Sequence, residues 1–140
     1  MPDDFYNSIC SVEDVQSILQ FIHALAKYEK LAHEVVATPD LLKESLFTHP
    51  PKAETLLAFE EDKPVGFALF FSNYSTFLGR AGIHLEDLFV LEEYRGRGYG
   101  KALLDKMQVI AIEFYEAMGA KAITGWTTYR MTWQAISNKS

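Results

Sequence analysis

The chain has 140 residues, 49% of them hydrophobic, which suits a single domain over 1–140 with a real core, and its formal net charge of −6 argues against a general nucleic-acid binder while mildly favouring cationic partners. One cysteine, Cys10, excludes an internal disulfide framework and a Cys-based zinc cage, and His23, His33, His49 and His84 show no metal-ligand spacing. No apolar run approaches the roughly 20 residues of a spanning helix and nothing resembles a signal peptide, so the expectation is a soluble protein of the reducing cytoplasm, without metal, membrane or nucleic acid among its partners.

Taken in chain order, "DDFYNSIC" supplies a leading strand. Ser11-Val12-Glu13-Asp14 has the form of an N-cap with an acidic first turn, and Val15, Ile18, Leu19, Ile22 and Leu25 recur at helical spacing, so the pattern predicts a first helix over about 12–28. Thr38-Pro39-Asp40 starts a second helix carrying Leu41, Leu42, Ser45 and Leu46. "ETLLAFE" (54–60) and "PVGFALFF" (64–71) flank the polar turn Glu61-Asp62-Lys63 and read as a hairpin. "SNYSTFLGRAG" (72–82) reads as a loop, the aromatic-rich "FALFFSNYSTF" as core plus a dimer-contact loop, and "IHLEDLFVL" (83–91) as a third strand. Glu86 and Asp87 are consecutive on that strand, so simple alternation sends them to opposite faces, with Asp87 in a structural role.

After "YRGRGYGK" (94–101), the residues Leu103, Leu104, Met107, Ile110, Ala111, Phe114 and Met118 keep helical spacing over about 98–118, and Gly119 is a suitable stop. "GWTTYRMTW" (125–133) alternates and makes a final strand. The order β, α, α, β, β, β, α, β describes an α/β (α+β) domain with a mostly antiparallel central sheet flanked by helices.

The hinge itself carries chemistry. A glycine-rich turn from strand to helix leaves backbone N–H groups unpaired at the positive end of the helix. Gly96, Gly98 and Gly100 allow close approach and positive φ, and Arg95, Arg97 and Lys101 add charge, so a phosphate or pyrophosphate is the natural ligand. The spacing lacks the Gly-Lys-Ser/Thr ending of a P-loop, and G-x-G-x-G before an antiparallel sheet is not a dinucleotide fingerprint.

Arg95-x-x-Gly98-x-Gly100 resembles the R/Q-x-x-G-x-G/A signature of GNAT-type N-acetyltransferases. "ALAKYEKL" (24–31), "PVGFALFF", "STFLG", "LEDLFVLEEYRGRGYGKALL", "FYEAMGA" and "WTTYRMT" are similar to successive blocks of the diamine (spermidine/spermine-type) branch. The resemblance implies a GNAT-like fold and acetyl-CoA as co-substrate. It implies that Leu88, Phe89 and Val90 pair through their backbone with the pantetheine arm, and that Arg95, Gly96, Arg97, Gly98, Tyr99, Gly100 and Lys101 bind the pyrophosphate. It puts Glu86 at the acceptor site, attracting the amine or helping to remove its proton, with Tyr28 and Glu29 lining the same pocket. Tyr115 of "FYEAMG" matches the general acid that protonates the departing thiolate.

The chain departs from that family in one place. Members carry a strand parallel to "LEDLFVL" and a loop with Asn-x-Pro-Ala/Ser before the F-Y-x-x-x-G helix; here "KMQVIAIE" runs straight into "FYEAMGA". The join near 113–114 looks like an excision of about 25 residues, one strand with its loop. Three readings stay open: a shortened domain with one long helix and an unpaired strand edge, an edge filled by a neighbouring chain, or a molecule with a further segment here. The expected function is transfer of an acetyl group from acetyl-CoA to a primary amine of a small diamine, polyamine or lysine-like acceptor, by direct attack in a ternary complex, in a homodimer that exchanges strands if the edge demands it. The alternative is a catalytically impaired CoA-binding or dimerising module.

Overall fold

The computed structural model describes residues 5–77, 79–117 and 129–131. The elements are β1 (Phe5–Ile9), α1 (Val15–Tyr28), α2 (Pro39–Leu46), β2 (Glu54–Glu60), β3 (Lys63–Ser75), β4 (Arg80–Val90), α3 (Tyr99–Ala117) and β5 (Tyr129–Met131), in the order read from the sequence. A 3₁₀ turn, Val12–Asp14, leads into α1, and the Asp14 carboxylate accepts the Ser11 N–H at 2.8 Å. At α2 the Thr38 hydroxyl oxygen accepts the Leu41 N–H at 3.2 Å, with Pro39 in the first turn where its missing N–H costs nothing.

The strands lie in the order β1-β2-β3-β4-β5, the first four antiparallel and the last pair parallel. Helix α3 covers one face, with Leu103 and Met107 set into Leu56, Val65, Phe70, Leu85 and Leu88. Helix α1 covers the other, with Phe21 and Leu25 against Leu57, Phe67 and Phe89, and α2 extends that layer through Leu42 and Leu46 beside Val15 and Ile18. Between β2 and β3 the chain reverses through Glu61 (φ 52°) and Asp62 (φ 64°), two left-handed residues that match the twist of a tight hairpin.

Three expectations need revision. The supposed loop 72–82 is mostly ladder: Ser72 to Ser75 pair with Ile83 to Arg80, because polar and aromatic side chains on an extended hairpin need only backbone partners and solvent. The strict alternation along β4 also fails. Phe70 pairs with Leu85 and Leu69 with Asp87, so Glu86 is an extra residue, a β-bulge. Ile83, Leu85, Leu88 and Val90 all face α3, which requires two residues, Glu86 and Asp87, between Leu85 and Leu88 where alternation would place one. The edge of β4 is not wholly open either: β5 pairs with it in parallel over Ile83–Leu85. Gly119 and most of 125–133 lie outside the described residues.

Candidate active site

The glycine hinge leaves β4 through a 3₁₀ turn at Glu92–Tyr94 and enters α3 at Tyr99. Gly96 (φ +80°) and Gly98 (φ +84°) are left-handed, and a Cβ at either would meet nothing within 4 Å, so this side of the loop is open space. The Ala102 N–H closes on the Gly98 carbonyl at 3.0 Å; the N–H groups of Tyr99, Gly100 and Lys101, in the first turn, have no acceptor within the helix. The side chains between the glycines turn the other way. Arg97 Nη1 meets Glu60 Oε1 at 2.9 Å and Oε2 at 3.1 Å, and the Tyr99 hydroxyl also donates to Glu60 Oε1. Lys101 pairs with Asp105 one turn on, at 2.8 Å, on the exposed surface.

Arg95 is turned inward. Its Nε donates to the Val90 carbonyl at 2.8 Å, and its guanidinium lies 4.7 Å from the centroid of the Tyr28 ring and 5.0 Å from that of Phe89. Its Nη2 is buried with no hydrogen-bond partner among the described residues. Tyr28, half exposed at the end of α1, meets Phe89 edge-on at 5.9 Å. Beside Phe89, β4 has β3 on one flank, while on the other no described strand pairs with Glu86–Val90.

Two residues before Phe89 stands Asp87, on the α1 side of the sheet. Burial, followed by repulsion from Glu86 and then Glu29, pushes its carboxyl up to about 6. Glu29, the residue capping α1, and the bulged, exposed Glu86 are thus the charges that Asp87 feels. Asp87 feels both its neighbour on the bulge and the end of α1. Such a group can attract an ammonium and hold a carboxylate whose affinity for a proton is close to neutral pH.

The acetyltransferase (GNAT) family model matches residues 18–130. The chain belongs to the GNAT acetyltransferase family. It is 33% identical to a thialysine N-epsilon-acetyltransferase of Bos taurus, over 88% of this chain and 89% of the relative. With the L-ornithine N5-acetyltransferase of Arabidopsis thaliana it shares 29% identity, over 88% and 82% of the two chains. Among solved structures, an aminoglycoside acetyltransferase from an uncultured soil metagenomic sample superimposes with a TM-score of 0.72 at 15% identity, covering 97% of this chain and 82% of that one, a likeness of fold.

As a GNAT acetyltransferase the chain is an acyltransferase of a family that in general uses acetyl-CoA as co-substrate. The structure brings Tyr28, Glu29, Asp87, Phe89 and Arg95 to one side of β4, leaves Glu86 exposed on the bulge, and sets Gly96 to Lys101 at the strand's end. Leu88 and Val90 have their side chains in the α3 core, leaving only backbone at the edge. Tyr115 belongs to α3, but its side chain lies outside the described residues. Sequence reading assigned Asp87 a structural role and had no local signal for its raised carboxyl, which burial produces first. It missed Glu60 altogether, since nothing local links it to Tyr99, 39 positions away. Cys10 is half-buried, and burial, with Asp14 nearby, pushes its thiol up to about 12, so it is no nucleophile. No described helix is long and apolar enough to cross a membrane, and no metal-binding cluster occurs among the described residues.

Proposed function

We propose that this protein moves an acetyl group from acetyl-CoA to a primary amine of a small diamine, polyamine or lysine-like acceptor, within a ternary complex and without a covalent enzyme intermediate. The observation that carries the reading is Asp87: a half-buried carboxylate pushed up to about 6 by burial and by Glu86 and Glu29, on the stretch of β4 with which no described strand pairs on the side away from β3. The names of the bovine and plant relatives, which specify thialysine and ornithine, agree with an amine-bearing acceptor.

Three features fit the co-substrate. The glycine side of the hinge is open, Arg95 holds an unpartnered buried donor, and Leu88 to Val90 present backbone that a pantetheine arm could pair with as an added strand. Acetyl-CoA, when bound, supplies the thioester. The chain would hold its pyrophosphate on the N–H groups of 96–101 and the start of α3. Glu29, Glu86 and the face of Tyr28 would draw in the acceptor ammonium. Asp87 would take its proton, directly or through water, because only the neutral amine can attack.

Tyr115 would return a proton to the thiolate. It sits 16 residues beyond Tyr99, about 24 Å along a straight helix.

The domain is proposed to be a shortened one, closed by β5 in the parallel place beside β4. Its alignment with the bovine relative runs over 153 positions although the chain has 140 residues, which agrees with gaps in this chain. A homodimer in the cytoplasm completes the proposal. Turnover of acetyl-CoA with a panel of diamines, polyamines and dibasic amino acids tests the function. Thermal stabilisation by acetyl-CoA without turnover of any amine would instead leave a binding module. The intact mass of the same preparation should be 15.9 kDa; a species about 3 kDa heavier, from some 25 residues of about 110 Da, would restore the missing strand and refute the shortened domain.

A further inference from the structure

We propose that Glu60, an acid on a strand remote in sequence from the hinge, is a positioning residue for the pyrophosphate of acetyl-CoA, and that Arg97 serves through it as a strut rather than as a ligand of the anion. This rests on the reading that the hinge binds that pyrophosphate. The geometry separates the hinge into two sides. Gly96 and Gly98 present open backbone, while the residues flanking Gly98 both reach back to one carboxylate at the end of β2. Glu60 Oε1 takes Arg97 Nη1 and the Tyr99 hydroxyl together, and Oε2 takes Arg97 Nη1 as well.

Each strut is held from its far side. Arg97 lies over the Tyr94 ring at 5.1 Å and its Nη2 reaches the Glu93 carbonyl at 3.4 Å. Tyr99 is buried, 1% exposed, and stacks on Phe5 of β1 with ring centroids 4.2 Å apart. Glu60 faces Phe5 in the β1–β2 ladder and Lys63 across the turn. One carboxylate therefore fixes the residues on both sides of a glycine at φ +84°, whose conformation aims the N–H groups of the first turn of α3 outward. A glycine turn without such ties samples many conformations, and a loop that is already in its bound shape avoids that ordering cost on binding. The hydrogen bond from Tyr99, with Arg97 adding, holds the Glu60 carboxyl below its ordinary range, so the tie persists through neutral pH.

Charge alone gives the opposite expectation. Removing an acid next to an anion site should tighten the anion; if the acid is a positioning residue, removal weakens it. The test is calorimetry of acetyl-CoA on the full chain, with steady-state kinetics. Glu60→Gln is expected to raise the acetyl-CoA dissociation constant and KM about tenfold, while kcat at saturation and the amine KM stay within about twofold. Tyr99→Phe, which keeps the buried ring and so guards against misfolding, should raise the same constant about threefold. The reversed pair Glu60→Arg with Arg97→Glu should recover most of the loss, since a strut tolerates reversal and a phosphate ligand does not. Unchanged or tighter binding in Glu60→Gln overturns the inference, as does a reversed pair weaker than Glu60→Gln. No binding by the unmodified protein would overturn the hinge reading itself.

Discussion

Asp87 illustrates how little of a residue's chemistry is contained in its letter. Beside Glu86 in the sequence it is one of two equivalent acids; burial, then Glu86 and Glu29 at the end of α1, make it the one with a proton affinity raised to about 6. The consequence for stability has a definite sign. Because the folded protein holds the proton more tightly than the unfolded chain does, stability falls as pH rises from the ordinary carboxyl range through about 6. Asp87→Asn should therefore stabilise the protein by about 1–2 kcal/mol at pH 7.5, a figure discounted for partial exposure. Chemical denaturation at pH 4, 5 and 7.5 should show that gain growing with pH and reaching its full size only above about 6. In the proposed reaction the same substitution removes the proton acceptor and should lower kcat/KM by roughly 10²- to 10⁴-fold, erasing an ascending limb near pH 6. A variant both less stable at pH 7.5 and fully active would remove Asp87 from the mechanism.

Elements explain where the site sits. The helix starts were legible because their signals are local: Thr38-Pro39 before α2, the apolar stripe of α1, the Gly-rich entry to α3; the start of β4 at Arg80 was not, since its polar residues read as a loop. The bulge at Glu86, the parallel partner of β4 and the tie from Glu60 were not legible, since each is decided by a strand contributed from elsewhere in the chain. Gly66 shows the same logic in the sheet. A Cβ there would stand 2.9 Å from the Phe89 carbonyl oxygen and 3.2 Å from Val90 Cγ2, inside the contact between β3 and β4. The Phe89 carbonyl, being backbone, cannot retreat without shifting β4, the strand proposed to pair with pantetheine. Gly66→Ala should cost about 1–3 kcal/mol of stability, as overpacking does, and raise the acetyl-CoA KM while leaving the amine KM less affected. Urea unfolding read beside KM checks both, and an unchanged midpoint would mean the strands part more easily than this contact implies.

For the whole molecule, charge sets two substrates against each other. The chain carries −6, so its long-range field draws in an ammonium and opposes a pyrophosphate. Nor do the hinge cations simply cancel that field, because Arg97 is neutralised by Glu60 and Lys101 by Asp105. In the proposed complex the anion would then be held at short range by backbone N–H groups and the buried Arg95, which salt screens little, whereas the general repulsion acts over distances that salt does screen, the Debye length being about 10 Å at 0.1 M. In the proposed reaction the acids Glu29, Glu86 and Asp87 would attract the amine through both ranges. Raising NaCl from 20 to 300 mM should thus lower kcat/KM for a diamine by about three- to tenfold, while kcat/KM for acetyl-CoA holds constant or rises. Potassium acetate in place of NaCl should act alike, since the effect depends on ionic strength and not on chloride. Were both constants to fall together, the anion would be held by free cationic side chains, and the backbone hinge would lose its part in recognition.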